Sequence, residues 1–265
     1  MCLIKKIALL LLLLFSCQKN ENYNTIQLVG HAGMGLEMSN SIYHNNSKEA
    51  IELALNITGS NGVEIDIQQD LDGVLWLFHD ETLNKTTNAT GCIAEKKTTE
   101  LENIHYSSLH KEKLRKLAEI DFDKFADKII FLDIKFWNAC SENYASTSDI
   151  KNVLKLLNFE NKENVYLIIP NESFLADFKT DFNVLFANDN FEIGKNILTQ
   201  DSLIQGIVIR NSKINSEQVN SIRNINRHVF LFEMRSPKGI KSALKKNPTG
   251  IISDDLRAAI IQKRN

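Results

Sequence analysis

Residues 62–80 read GVEIDIQQDLDGVLWLFHD, and the fold turns on how this stretch is parsed. Val63, Ile65 and Ile67 alternate with Glu64, Asp66 and Gln68, a period of two that predicts a strand with one apolar face. The other face carries two acids at i and i+2. Neighbouring carboxylates repel each other, so an apolar core would not select them, whereas a hard divalent cation would. Asp70-Leu71-Asp72-Gly73 predicts a turn, and Val74 to Phe78 a second strand ending in His79-Asp80. A reversal centred on Leu71-Asp72 pairs Asp70 with Gly73 and, in the same register, sets His79 opposite Glu64. Two carboxylates and an imidazole then converge, which points to metal-assisted acid–base chemistry. Trp76 and Phe78 argue against an ordinary hairpin with a solvated outer face.

The chain around this stretch has 265 residues, enough for one large α/β domain. Three prolines and the lack of any low-complexity run argue against a flexible linker, and a formal charge of −2 leaves no nucleic-acid footprint. Residues 1–16 are expected to be a signal peptide. Lys5 and Lys6 form a basic start, and Ile7 to Phe15 an apolar run too short to span a bilayer. The run ends in Leu14-Phe15-Ser16-Cys17, which resembles the lipobox of bacterial lipoproteins and implies cleavage before Cys17 and its acylation. Gln18 follows, where an aspartate retains enterobacterial lipoproteins at the inner membrane. The expectation is a lipid-anchored protein of the cell envelope, at the outer membrane, with residues 17–25 as a lipidated tether and 26–265 as the domain. Loss of Lys5 and Lys6 takes the formal charge from −2 to −4. Cys92 and Cys140 remain in an oxidising compartment, where a disulfide and two buried thiols are both compatible with the sequence.

Ile26 to Gly30 predicts a short strand that delivers His31 at its C-terminal end. Asn46 with Glu49 fits a capping box for a helix through Ala50, Ile51, Ala54 and Leu55, with Ser47 as the alternative cap. Residues 81–101 read as loop, and 111–126 as a helix through Leu114, Leu117, Ile120 and Phe125. Ile129 to Lys135 predicts a strand with Asp133 and Lys135 on one face. Further strands are expected at 165–169, 184–187, 206–209, 229–233 and 250–253, with helices at 148–158, 172–179, 215–224, 236–246 and 254–263. Strand and helix alternate, so the sheet is parallel. The run 74–78 is set apart, because its short connection permits only an antiparallel partner. Eight βα units predict a TIM (β/α)8 barrel with a β-hairpin extension after the second strand, a doubly wound open sheet being the alternative. The barrel is preferred because His31, Glu64, Asp66 and Asp133 all fall at or near C-terminal strand ends. Asp254 joins that rim, or else caps the last helix.

With these residues placed, the sequence resembles the glycerophosphodiester phosphodiesterase family. The matching pieces are GHAG at 30–33, NNSKEAIELAL at 45–55, GVEIDIQQDLDGVLWLFHDETLNKTTNATG at 62–91, FLDIK at 131–135 and GIISD at 250–254. The resemblance implies a TIM barrel that hydrolyses small glycerophosphodiesters to glycerol 3-phosphate and an alcohol through a cyclic phosphate. It implies His31 and His79 as the catalytic pair, Glu64, Asp66 and Asp133 as ligands of Mg2+ or Ca2+, and Lys135 as a phosphate contact. Asp133 stands where the family usually has glutamate, and Ala32 where it has an arginine after the first histidine. The family's tryptophan on the seventh strand is replaced in the region of Phe232 and Glu233. The alternatives are another phospholipid phosphodiesterase of this fold, phospholipase C-like or sphingomyelinase-D-like, and a lipoprotein that binds phosphorylated ligands without turnover.

Overall fold

The computed structural model describes residues 23–36, 41–137, 139–140, 145–157 and 162–264. The stretch expected to be a signal peptide, with Cys17, lies outside the described residues. In chain order the elements are β1 (Gln27–Gly30), α1 (Lys48–Asn56), β2 (Gly62–Gln69), β3 (Leu75–Leu77), α2 (Thr98–Leu101), β4 (Ile129–Ile134), α3 (Thr147–Leu156), β5 (Val165–Ile169), α4 (Leu175–Phe178), β6 (Asn183–Ala187), α5 (Phe191–Gln200), β7 (Ile204–Arg210), α6 (Ser216–Arg223), β8 (His228–Phe232), α7 (Pro237–Lys245), β9 (Gly250–Ser253) and α8 (Leu256–Arg264). The strands run in the order β1-β9-β8-β7-β6-β5-β4-β2, and β1 pairs back onto β2, so eight parallel strands close into a barrel. β3 adds to β2 antiparallel, outside that ring. This is the expected TIM barrel with its hairpin extension.

Two apolar layers follow from the period of the strands. One residue on most strands points inward, and Val29, Phe131, Ile168, Leu185, Val208, Phe230 and Ile252 make a cluster of their own. Phe131 and Phe230 meet edge to face at 4.7 Å, filling the interior, which is therefore a packed core and not a pore. Their neighbours in sequence face outward against the helices, as Leu132, Leu167, Ile207 and Leu231 do. A third cluster, Trp76, Phe78, Leu83, Ile93, Leu101, Ile104, Tyr106 and Leu114, underlies the hairpin extension. Each fully buried side chain of this size contributes roughly 2–3 kcal/mol, so the extension is a packed unit. Cys92 and Cys140 are disulfide-bonded, with Cα atoms 6.0 Å apart, and tie the extension to the loop after β4. Tyr23, within the stretch read as a tether, is buried in the main core.

Four local expectations change. Residues 111–126 do not form an α-helix. Only 3-10 turns occur, at Leu117–Glu119 and Phe122–Phe125, and Leu77 N–H donates to Arg115 O in an extended pairing. The apolar residues serve two cores at once, Leu114 in the hairpin cluster and Leu117 and Ile120 in the main one, which one helix face cannot do. Conversely α5 forms where no helix was expected. Asn190 caps it, accepting from Glu192 and Ile193 N–H. Ser47, not Asn46, caps α1. The hairpin register is also shifted by one residue: Ile67 pairs with Leu77 and Gln69 with Leu75. The reason is a three-residue loop closed by Asp70 N–H to Val74 O, with Gly73 at φ +87°. Phe78 N–H therefore donates to Asp66 O, and His79 is not the cross-strand partner of Glu64.

Candidate active site

The inward period that builds the core also builds the site. Two residues beyond the interior core layer, toward the C-terminal strand ends, lie His31 (after Val29), Asp133 (after Phe131), Arg210 (after Val208), Phe232 (after Phe230) and Asp254 (after Ile252). Glu64 and Asp66 share this face on β2. A cavity of about 400 Å³ opens over the core layer, lined by His31, Glu64, His79, Asp133, Lys135, Arg210, Phe232, Glu233, Arg235 and Asp254. Its floor is Ile168, Val208 and Ile252.

The expected carboxylate triad is brought together by register. Asp66 pairs with Asp133 between β2 and β4, and Glu64 precedes Asp66 by two on the same face. One oxygen from each of the three lies within 4.8 Å of the others. The loop after β1 holds the outer oxygens. Ala32 N–H donates to Glu64 Oε2 at 2.8 Å, and Asn46 Nδ2 to Asp66 Oδ2 at 2.7 Å. Asn46 also accepts from Asp66 N–H at 3.0 Å and donates its own N–H to Ala32 O. Ala32 and Asn46 both adopt left-handed backbone, φ +49° and +56°. Gly33, at φ +104°, lies so close to α1 that a Cβ there would stand 2.9 Å from Ala50 Cβ. These contacts leave Glu64 Oε1 buried without a hydrogen bond and Asp66 Oδ1 facing the Lys135 ammonium at 2.8 Å. An all-oxygen set with a buried orphan oxygen fits Mg2+ or Ca2+.

Charge on the triad is unevenly placed. Burial and then Asp66 push the Glu64 carboxyl up to about 8, against the pull of His31 and Lys135. Burial works against Asp66 as well, but Lys135, His79 and His31 outweigh it and hold that group at about 2. Lys135, whose Nζ lies 2.6 Å from Asp133 Oδ2, is desolvated, yet Asp133, Asp66 and Glu64 drive its pKa well up.

Each histidine has a carboxylate at Nδ1. His31 faces Asp254 Oδ1 at 2.7 Å, and His79 faces Asp80 Oδ1 at 3.0 Å. The Nε2 atoms are thereby left for the cavity. Burial opposes charging of His31, but Glu64, Asp254 and Asp66 push it up to about 9. The Asp80 hydrogen bond raises His79 against its burial, with help from Asp66. Gln68 Nε2 donates to Phe78 O and Asp80 O, straddling His79 and fixing its backbone. Phe232 presents an edge to His31, centroids 6.5 Å apart. Asp80, Asn46 and Gln68 were not read as site residues from the sequence, whereas Asp254 was placed on this rim, with a helix cap as its other reading. The rim reading of Asp254 holds, and the capping role falls to Asp255, acceptor for Ala258 N–H.

The family profile of the glycerophosphoryl diester phosphodiesterases matches residues 31–205, from the first histidine through β5 and β6. The chain belongs to this family. Among its relatives, a glycerophosphodiester phosphodiesterase of Caldanaerobacter subterraneus subsp. tengcongensis is 28% identical over 137 residues, 50% of this chain and 53% of the relative. One of Bacillus altitudinis is 42% identical over 60 residues, 23% of this chain and 24% of the relative. The chain thus spans about a quarter and about half of the length of these two. An Oleispira antarctica phosphodiesterase solved with its product sn-glycerol-3-phosphate superimposes with a TM-score of 0.75 at 20% identity, over 92% of this chain and 99% of that one. At that identity the likeness is one of fold. Against the family pattern, Ala32 is buried and offers backbone groups, its N–H to Glu64 and its carbonyl to Asn46, in place of a side-chain cation. The cavity's further cations come from the opposite wall, Arg210 and Arg235.

Proposed function

We propose that the chain hydrolyses glycerophosphodiesters to glycerol 3-phosphate and an alcohol, with His31 and His79 as acid–base pair and Glu64, Asp66 and Asp133 holding Mg2+ or Ca2+. One observation carries this reading: two imidazoles, each with a carboxylate at Nδ1, line one cavity with an all-oxygen triad and a lysine. When bound, the cation neutralises phosphate charge and polarises the phosphorus for attack. One histidine takes the proton of the glycerol 2-hydroxyl as its oxygen attacks phosphorus. The other gives a proton to the departing alkoxide as the P–O ester bond breaks. The products of this step are the free alcohol and a cyclic phosphate, which water opens with the two roles exchanged. Lys135, kept charged by Asp133 and Asp66, stabilises the added negative charge of the five-coordinate state.

Lipid anchoring at Cys17 belongs to this proposal. At most about 3.5 Å per residue, the chain from Cys17 to Tyr23 reaches roughly 20 Å. β1 enters the barrel at the end opposite the site, so the anchor holds the N-terminal mouth to the envelope and the site faces away from its own bilayer. That orientation favours soluble, deacylated diesters over intact lipid. Mass spectrometry of the membrane fraction should find the chain beginning at an acylated Cys17, and a soluble chain still starting at Met1 would exclude the anchor.

The test of activity is release of glycerol 3-phosphate from glycerophosphocholine, glycerophosphoethanolamine and glycerophosphoinositol, with and without EDTA. Metal-dependent release is expected. Binding of glycerol 3-phosphate with no turnover of any diester would make the chain a binding protein, and cleavage confined to intact phospholipid would place it with the lipid phosphodiesterases.

A further inference from the structure

A second cavity, about 530 Å³, meets the first at His79 and Lys135, which line both. Its character is different. The first is walled by charge, whereas the second has Phe136, Trp137, Pro170 and Phe174 along its walls, with Asp80 and Glu81 among its polar groups. Phe136 is 3% exposed and packs on Phe174 with centroids 4.7 Å apart, so this wall is braced from the core. Trp137 is 47% exposed and belongs to none of the apolar clusters. Lys135, two residues before it, pairs with Asp66 and Asp133, and Cys140, three residues after it, is disulfide-bonded to Cys92. Among the described residues no apolar cluster takes up this half-exposed indole, which shares a cavity with His79.

A phosphodiester carries two arms on one phosphorus. The phosphorus must lie within reach of both imidazoles and Lys135, with the glycerol 2-hydroxyl beside the triad in the charged cavity. The other arm then passes His79 and enters the aromatic cavity. Resting on the function proposed above, the geometry points to this cavity as the subsite for the leaving alcohol, with Trp137 and Phe174 selecting a cationic amino alcohol of the choline class. Aromatic faces attract quaternary ammonium groups through their quadrupole, and exposed Glu81 adds a negative charge at the cavity's edge. Lys85 and Lys135 also line this cavity, set against the carboxylates of Asp80 and Glu81.

The experiment compares glycerophosphocholine with glycerophosphoglycerol, whose leaving arm is neutral, in wild type, Trp137→Ala and Trp137→Phe. Trp137→Ala should raise KM for the choline diester about 5- to 20-fold, the range of one cation–aromatic contact, and change the neutral diester less than about 2-fold; Trp137→Phe should recover most of the loss. A readout independent of turnover exists because the chain has two tryptophans and the other, Trp76, is 1% exposed. Choline chloride alone should quench the exposed-indole fluorescence of wild type and leave that of Trp137→Phe unchanged. Equal KM changes for both diesters, or the same choline response in wild type and Trp137→Phe, would overturn the assignment. If no diester is hydrolysed, the activity reading fails by itself, and the choline titration still decides the subsite.

Discussion

Nδ1 of His31 lies 2.7 Å from Oδ1 of Asp254, a carboxylate that comes from the other end of the chain and is 1% exposed. The pair turns Nε2 of His31 toward the cavity and, with Glu64 and Asp66, overcomes the cost of burying a charged ring, pushing His31 up to about 9. Asp254→Asn keeps the volume and removes the charge. Its expected effect is a fall in kcat of roughly 10- to 100-fold, the usual range for partners that orient side chains at metal sites. Removing an anion lowers the pKa of a neighbouring histidine, so the limb of the pH–rate profile due to His31 should move to lower pH. A variant with unchanged limb and kcat would mean that Asp254 does not hold His31.

The triad predicts proton release on metal binding. Burial and Asp66 push Glu64 up to about 8, so without the metal this carboxyl holds its proton to higher pH than an ordinary glutamate. A cation takes the ionised carboxylate and must displace that proton. Apparent affinity should therefore rise as pH rises toward 8 and level off above it. Calorimetric titration of Mg2+ or Ca2+ at pH 7 in two buffers of different ionisation enthalpy reads the proton directly. Glu64→Gln should abolish the release and weaken binding at least about 10-fold. Undiminished turnover after exhaustive chelation would remove the cation from the mechanism.

The strands were legible because each carries its own apolar run, and Glu64 with Asp66 because acids at every second position have no place on an ordinary strand face; Asp133 joined them through the family resemblance. What escaped depends on contacts between distant segments. Asp254 and Asp255 are adjacent acids at one helix start, and only the fold assigns the first to His31 and the second to Ala258 N–H. α5 was hidden by Gly194, which weakens a helical pattern locally but here packs against Ile207, 3.3 Å from where its Cβ would lie. Residues 111–126 failed in the opposite sense. Their spacing suits a helix, but Leu114 and Leu117 answer to different cores.

The register of the hairpin rests on Asp70. Its Oδ1 accepts from Asp72 and Val74 N–H at 3.0 and 2.8 Å, and its Oδ2 accepts from Trp76 Nε1 at 2.8 Å and Thr98 Oγ1 at 2.6 Å. Asp70→Ala leaves the buried Trp76 donor unsatisfied along with the turn amides. The expected loss is about 3 kcal/mol in urea unfolding, the scale of a charged hydrogen-bond hub. Because β3 delivers His79, kcat should fall with it. A change below about 1 kcal/mol would show that the apolar cluster around Trp76 sets the register without Asp70.

The histidine pair separates catalysis from binding. His31 follows β1 and His79 follows β3, and the barrel brings both to one cavity. If they act as acid and base on one diester, each His→Ala change should lower kcat by roughly 10²- to 10⁴-fold. The double variant should lose less than the product of the two, because groups acting as one unit are not additive. Melting temperature is expected to hold in both single variants, since His79 is partly exposed and His31 borders the open cavity. His31→Ala does leave the buried Asp254 carboxylate without its partner, so a fall in melting temperature there reports that orphaned charge, and the kcat of the folded variant decides the catalytic role. The wild-type pH–rate profile should be bell-shaped, and each single variant should lose one limb. His79→Ala that retains near-normal kcat on glycerophosphocholine would show that the shifted register carries this imidazole past the phosphorus, leaving His31 without its counterpart.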